Sequence, residues 1–168
     1  MTGGPERGFS LLELAVVAVV LSTLSAVLLH RLNYYQEVAE RANFEATLSL
    51  YKTALQIRLA EMIIDRREGE SRTLEVENPT RWLSEKPANY AGEYPPAPAV
   101  GNWYYDRTSQ ELVYVANLSS GLEVARRDGV KQLRFRVQVV HQSVAIVGGQ
   151  VRGIAGIRLA PVTVYRWT

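Results

Sequence analysis

Cysteine is absent from the 168 residues, which excludes a disulfide framework and thiolate metal sites and leaves packing alone to hold the fold. Histidine is nearly absent. His30 and His141 stand in unrelated contexts, so a histidine-based metal centre or catalytic triad has little to work with. An excess of either charge is missing too: the formal net charge of +2 is too small to point to nucleic acid or an acidic surface. No nucleotide-binding loop, zinc signature or Gly-x-Ser-x-Gly elbow occurs. "GGQVRG", from Gly148 to Gly153, reads as a turn between strands that opens no helix, so phosphate binding is not expected there. No cofactor, no metal and no enzymatic activity are expected.

What is present is unevenly distributed. With 47% hydrophobic and 21% charged residues the chain is globular in composition, yet much of the aliphatic content lies in the first thirty residues. "RGFSLLELAVVAVVLSTLSAVLL" runs from Arg7 to Leu29, and from Phe9 onward its one charge is Glu13. Neither Gly nor Pro falls between Phe9 and His30, so one continuous helix is predicted, about 30 Å long and matched to the hydrocarbon core of a bilayer. Ser22, Thr23 and Ser25 are compatible with that, because hydroxyls bond to the carbonyl one turn back. "STLSA", ending at Ala26, imitates a signal-peptidase site, but the preceding "MTGGPERG" has one Arg balanced by Glu6, a poor n-region for a secretory signal. A plain anchor leaves Glu13 unexplained, since a carboxylate in hydrocarbon costs on the order of 3 kcal/mol. A partner of opposite charge would remove that cost. The nearest is an α-amino group released by cleavage before Phe9, on this chain or on a neighbouring one.

The run Gly8-Phe9-Ser10-Leu11-Leu12-Glu13 ahead of an apolar helix resembles the processing site of type IV prepilins and type II secretion pseudopilins, and Arg7 supplies the basic residue usual before the Gly. The resemblance implies cleavage between Gly8 and Phe9 by a prepilin peptidase and N-methylation of Phe9. It makes Glu13 the fifth residue of the mature chain, facing the N-terminal ammonium of a neighbouring subunit during filament assembly. It also implies other pilin or pseudopilin subunits, the peptidase/methyltransferase and an inner-membrane assembly platform as partners. The expected location is a single pass of the inner membrane with the C-terminal domain periplasmic, then a pilus or periplasmic pseudopilus. Two departures, His30 where many major pilins carry a kinking Pro and the missing C-terminal disulfide, point to a minor pilin or pseudopilin. Type IV pilus and type II secretion stay open as the machine. So do adhesion, motility, DNA uptake and secretion as the task. The alternative is a signal-anchored periplasmic or cell-surface binding module that does not polymerise.

Beyond the apolar run, Phe44, Leu48, Tyr51, Leu55, Leu59 and Met62 recur at helical spacing, predicting an amphipathic continuation with a stop near Gly69. Glu37, Glu40, Arg41 and Glu45 read as a solvated face, with pairing to neighbouring subunits as the other possibility. Residues 68–101, with Pro87, Pro95, Pro96 and Pro98, read as a connector pinned by Trp82, Tyr90 and Tyr94. The period then becomes two. "NWYYD" and "ELVYVAN" flank "RTSQ" as a hairpin, "KQLRFRVQVV" alternates Leu133, Phe135, Val137 and Val139 against a wet face bearing Arg134, Arg136 and Gln138, and a second hairpin turns at Gly148-Gly149. "VTVYRW" reads as a final strand. Asp106 and Glu111 share a turn but fall short of the six to eight oxygens calcium takes. Arg126, Arg127, Lys131, Arg134 and Arg136 form a basic stretch broken by Asp128, and nucleic acid is not expected as a partner. The predicted organisation is a leader (1–8), an assembly half-helix (9–30), an amphipathic half-helix (31–67), a connector (68–101) and a sheet domain (102–168). The fold class is α+β, pilin-like: a long helix on an antiparallel sheet of four to five strands.

Overall fold

The computed structural model describes residues 10–127, 129–146 and 149–167. Gly8, Phe9, Asp128 and Gly148 lie outside them. From Phe9 to Glu68 the sequence holds neither Gly nor Pro, and α1 (Leu11–Ile64) is a single helix. It ends earlier than Gly69. Arg66 takes a left-handed φ of 56°, and the Arg67 N–H reaches back to the Met62 carbonyl at 2.9 Å, closing the helix as a Schellman-type cap with Arg in the place usually held by Gly.

The chain forms two compact units, Met1–Val38 and Ala39–Thr168. In the first, every described residue up to Gln36 is exposed, and the apolar side chains from Leu11 to Leu32 have no protein cover. The Ser22 and Thr23 hydroxyls donate to the Ala18 and Val19 carbonyls, each at 2.7 Å, so neither adds an unmet polar group to this surface.

The second unit is α+β, as expected. Its six-stranded sheet runs β1 (Tyr90–Glu93), β2 (Asn102–Asp106), β3 (Glu111–Val115), β6 (Val130–Ile146), β5 (Arg126–Arg127), with β7 (Gly149–Pro161) also paired to β6. The sheet is mixed, because β1 runs parallel to β2. That strand falls inside the proline-rich connector: Pro87 precedes it and Pro95 follows it, so no proline interrupts a ladder bond. Elsewhere in the connector Pro79 opens a 3-10 turn capped by Asn78, whose side chain accepts from the Thr80 N–H. The second hairpin pairs Ile146 with Gly149, while its turn lies outside the described residues. The last strand is shorter than the sequence suggests. Only β8 (Arg166–Trp167) forms, paired with β4 (Leu122–Glu123) in a separate two-stranded sheet.

The helical stripe lies on the sheet. Phe44, Leu48, Tyr51, Leu55, Leu59 and Met62 are all buried. Phe44 stacks on Trp103 at 5.4 Å between centroids and touches the rings of Tyr114, Phe135 and Trp167. The opposite sheet face is covered as well: Tyr104, Val113 and Val115 form a smaller cluster with Tyr94 and Val130 packed on it. All five residues of β3 are therefore buried. Past Phe135, β6 has no β3 partner, and on that free edge Glu75, from the short helix α2 (Thr73–Val76), accepts the Val139 N–H at 2.8 Å.

Candidate functional site

Chemistry at the amino terminus is set by where α1 begins. Ser10 caps it: its hydroxyl oxygen accepts the Leu12 N–H at 3.3 Å and its carbonyl accepts the Leu14 N–H at 3.0 Å. Glu13 therefore occupies the first turn, where the unpaired N–H groups of a helix favour an anion. It is exposed and has no ion-pair or hydrogen-bond partner among the described residues. Its sequence neighbours Leu12 and Leu14, and Val16 and Val17 one turn on, are exposed and apolar. Such a carboxylate is tolerable in water and costly in lipid. Gly8 and Phe9, the predicted cleavage and methylation positions, lie outside the described residues. The helix has the length and composition to cross a membrane.

In the second unit the structure revises how two charged groups are used. Glu40, read as part of a solvated face, is an internal clamp. Its Oε1 accepts the Tyr114 hydroxyl at 2.8 Å and the Asn117 N–H at 2.7 Å, and its Oε2 accepts the Leu118 N–H at 2.7 Å. Burial, and then the adjacent Glu40 carboxylate, hold the Tyr114 hydroxyl well above the usual tyrosine range. Of the other three, Arg41 and Glu45 pair with each other at 2.9 Å. No local pattern announces the clamp, because its donors lie some seventy residues away on the strand and turn that α1 covers.

Asp106 and Glu111 do converge, at the β2–β3 hairpin where they are cross-strand partners, but an arginine lies between them. The Arg134 guanidinium donates to Asp106 Oδ2 at 3.0 Å and Glu111 Oε2 at 2.9 Å. Arg136 takes the other Glu111 oxygen at 2.7 Å. Arg134, assigned by alternation to a wet face, is 4% exposed. Tyr94 lies 5.0 Å from its guanidinium carbon, and the Gln132 side chain accepts from its Nε at 3.1 Å. The reason is the covered second face of the sheet. Burial raises the proton affinity of Asp106, but hydrogen bonds from Arg134, Ser109 and Thr108 outweigh it and hold the carboxyl below the usual aspartate range. The cluster is a neutralised ion network. Of the basic stretch, Arg134 and Arg136 are spent here, and the Lys131 ammonium donates to the Ser119 and Leu122 carbonyls.

Residues 5–29 match the family model for the prokaryotic N-terminal methylation motif, the signature of type IV pilins and pseudopilins. No curated protein and no solved structure matches the chain.

Proposed function

We propose that this chain, a type IV pilin-like precursor by its amino-terminal signature, is a minor pilin or pseudopilin: a structural subunit, not an enzyme, that polymerises through its N-terminal helix. The observation that carries the proposal is Glu13, one carboxylate in the first turn of an exposed apolar helix. Hydrolysis of the Gly8–Phe9 peptide bond leaves a carboxylate on the leader and an ammonium on Phe9. Methylation of that nitrogen keeps its positive charge. Within a bundle of such helices in lipid, the Phe9 ammonium of one subunit and the Glu13 carboxylate of the next neutralise each other, and two costly ions become one pair. The mature subunit is then retained in the inner membrane until it enters a pilus or pseudopilus, with prepilin peptidase, other pilin-like subunits and a membrane assembly platform as its partners.

Intact mass of protein extracted from native membranes tests the proposal. A chain beginning at N-methylated Phe9 is expected. Retention of Met1 or Thr2 overturns it in favour of a signal-anchored binding module. Glu13→Ala supplies the mechanistic test. Cleavage should persist while incorporation into filaments falls, by on the order of a hundredfold if the whole of an interaction of about 3 kcal/mol is lost. Normal incorporation of that variant would remove Glu13 from assembly.

A further inference from the structure

The domain portion of α1 carries a second apolar stripe that its own sheet does not use. Ala46, Leu50, Thr53, Ile57, Ala60 and Ile64 are all exposed, with Leu50, Ile57 and Ile64 at 47%, 56% and 80%. Their spacing alternates four and three without a break, the period of a helix-to-helix seam rather than of a helix on a sheet. At 3.6 residues per turn the six fall within an arc of about 80°, on the side opposite Phe44, Leu55 and Met62. Large residues hold one seam position and small ones the other, which lets a second backbone come close. The positions flanking the seam carry a single charge, Glu61, and that one is paired to Arg58 in its own chain.

We propose that this stripe docks against the same stripe of a second copy of this chain, in parallel. This rests on the reading of the chain as an N-terminally anchored, pilin-like subunit, because two copies inserted in one membrane by the same end carry their helices in the same sense. In that parallel register Glu61 of one copy faces Gln56 of the other, so no like charges meet. Lipid is a poor occupant. The stripe lies well past the apolar run in sequence, and lipid has no use for a 3.5-residue repeat of large and small side chains. A seam of under three heptads is also too small to hold free copies together. The pairing therefore depends on the high local concentration that membrane insertion provides.

The absence of cysteine makes the test direct. Full-length chain carrying Leu50→Cys or Ile57→Cys is co-expressed as two differently tagged copies, and membranes are treated with a short bismaleimide. Glu45→Cys and Lys52→Cys, exposed positions farther round the helix from the seam, serve as controls. Mixed-tag homodimer is expected several-fold more strongly at positions 50 and 57 than at 45 and 52. Equal yields at all four positions, no mixed-tag homodimer, or cross-links to other proteins alone overturn the proposal. The amino terminus is read by mass on the same membranes. Cleaved, methylated chain without homodimer overturns the seam alone, whereas retained Met1 overturns the subunit reading on which the seam rests.

Discussion

Arg134 shows what a single side chain does in this domain. It neutralises two carboxylates in a place where neither charge is fully solvated, with Glu111 as buried as Arg134 itself. Truncating it strands Glu111 with only the half-exposed Arg136 for company. Arg134→Ala should therefore cost about 3–5 kcal/mol, visible as a lowered midpoint in denaturant unfolding of the purified protein. The same network sets an acid limit. Folded Asp106 binds its proton less tightly than an unfolded aspartate, whose usual value is 3.8. Its contribution is thus complete above that value and is lost as the pH falls below it, through the lower folded value. Asp106→Asn should be less stable at neutral pH and lose less on acidification from pH 5 to pH 2 than the unmodified chain, by thermal unfolding at each pH. Glu40 is a second case. Removing an ionised acceptor that serves Tyr114, Asn117 and Leu118 at once should cost about 2–3 kcal/mol in Glu40→Ala.

At the scale of elements, periodicity explains what the sequence revealed and what it did not. The stripe from Phe44 to Met62 could be read directly because helical burial is a local pattern, and all six residues lie in the core. The amino-terminal signature is just as local. Strand alternation is weaker evidence: it correctly separated Leu133, Phe135 and Val137 from Arg134 and Arg136, but not whether the second face is open to water. That depends on the segment carrying Tyr94, remote in sequence. β1 escaped for a related reason, since the prolines around it argue against a strand unless they fall outside the paired residues. The helix stop was misplaced because glycine is the expected left-handed residue and Arg66 takes that role. This last departure carries a cost. A Cβ in the left-handed region is worth roughly 1 kcal/mol, and Arg67, not Arg66, makes the nearby ion pairs with Asp65 and Glu70. Arg66→Gly should raise stability by about 0.5–1 kcal/mol, less than the full strain because glycine also gives the unfolded chain more freedom. A rise in thermal midpoint without loss of helix by circular dichroism would establish the cap.

The two units divide the energetics of the whole chain between two solvents. Among the described residues, every buried one belongs to Ala39–Thr168, the earliest being Phe44. From Leu11 to Leu29 the unit before it presents exposed aliphatic side chains, which gain nothing from folding in water and much from transfer to lipid, and Glu13 is the one carboxylate among them. Stability and localisation should therefore be separable by truncation. A fragment beginning at Ala39 keeps the aromatic cluster, the Arg134 network and the Glu40 clamp, and it places Glu40 in the first turn of the shortened helix, where a carboxylate is favoured. It should be soluble without detergent, show the near-ultraviolet dichroism of packed Trp103 and Phe44, and unfold cooperatively. The full chain should stay with membranes through alkaline extraction. A fragment that aggregates or lacks tertiary dichroism would mean that the domain needs its amino-terminal helix to fold, not merely to reach the membrane.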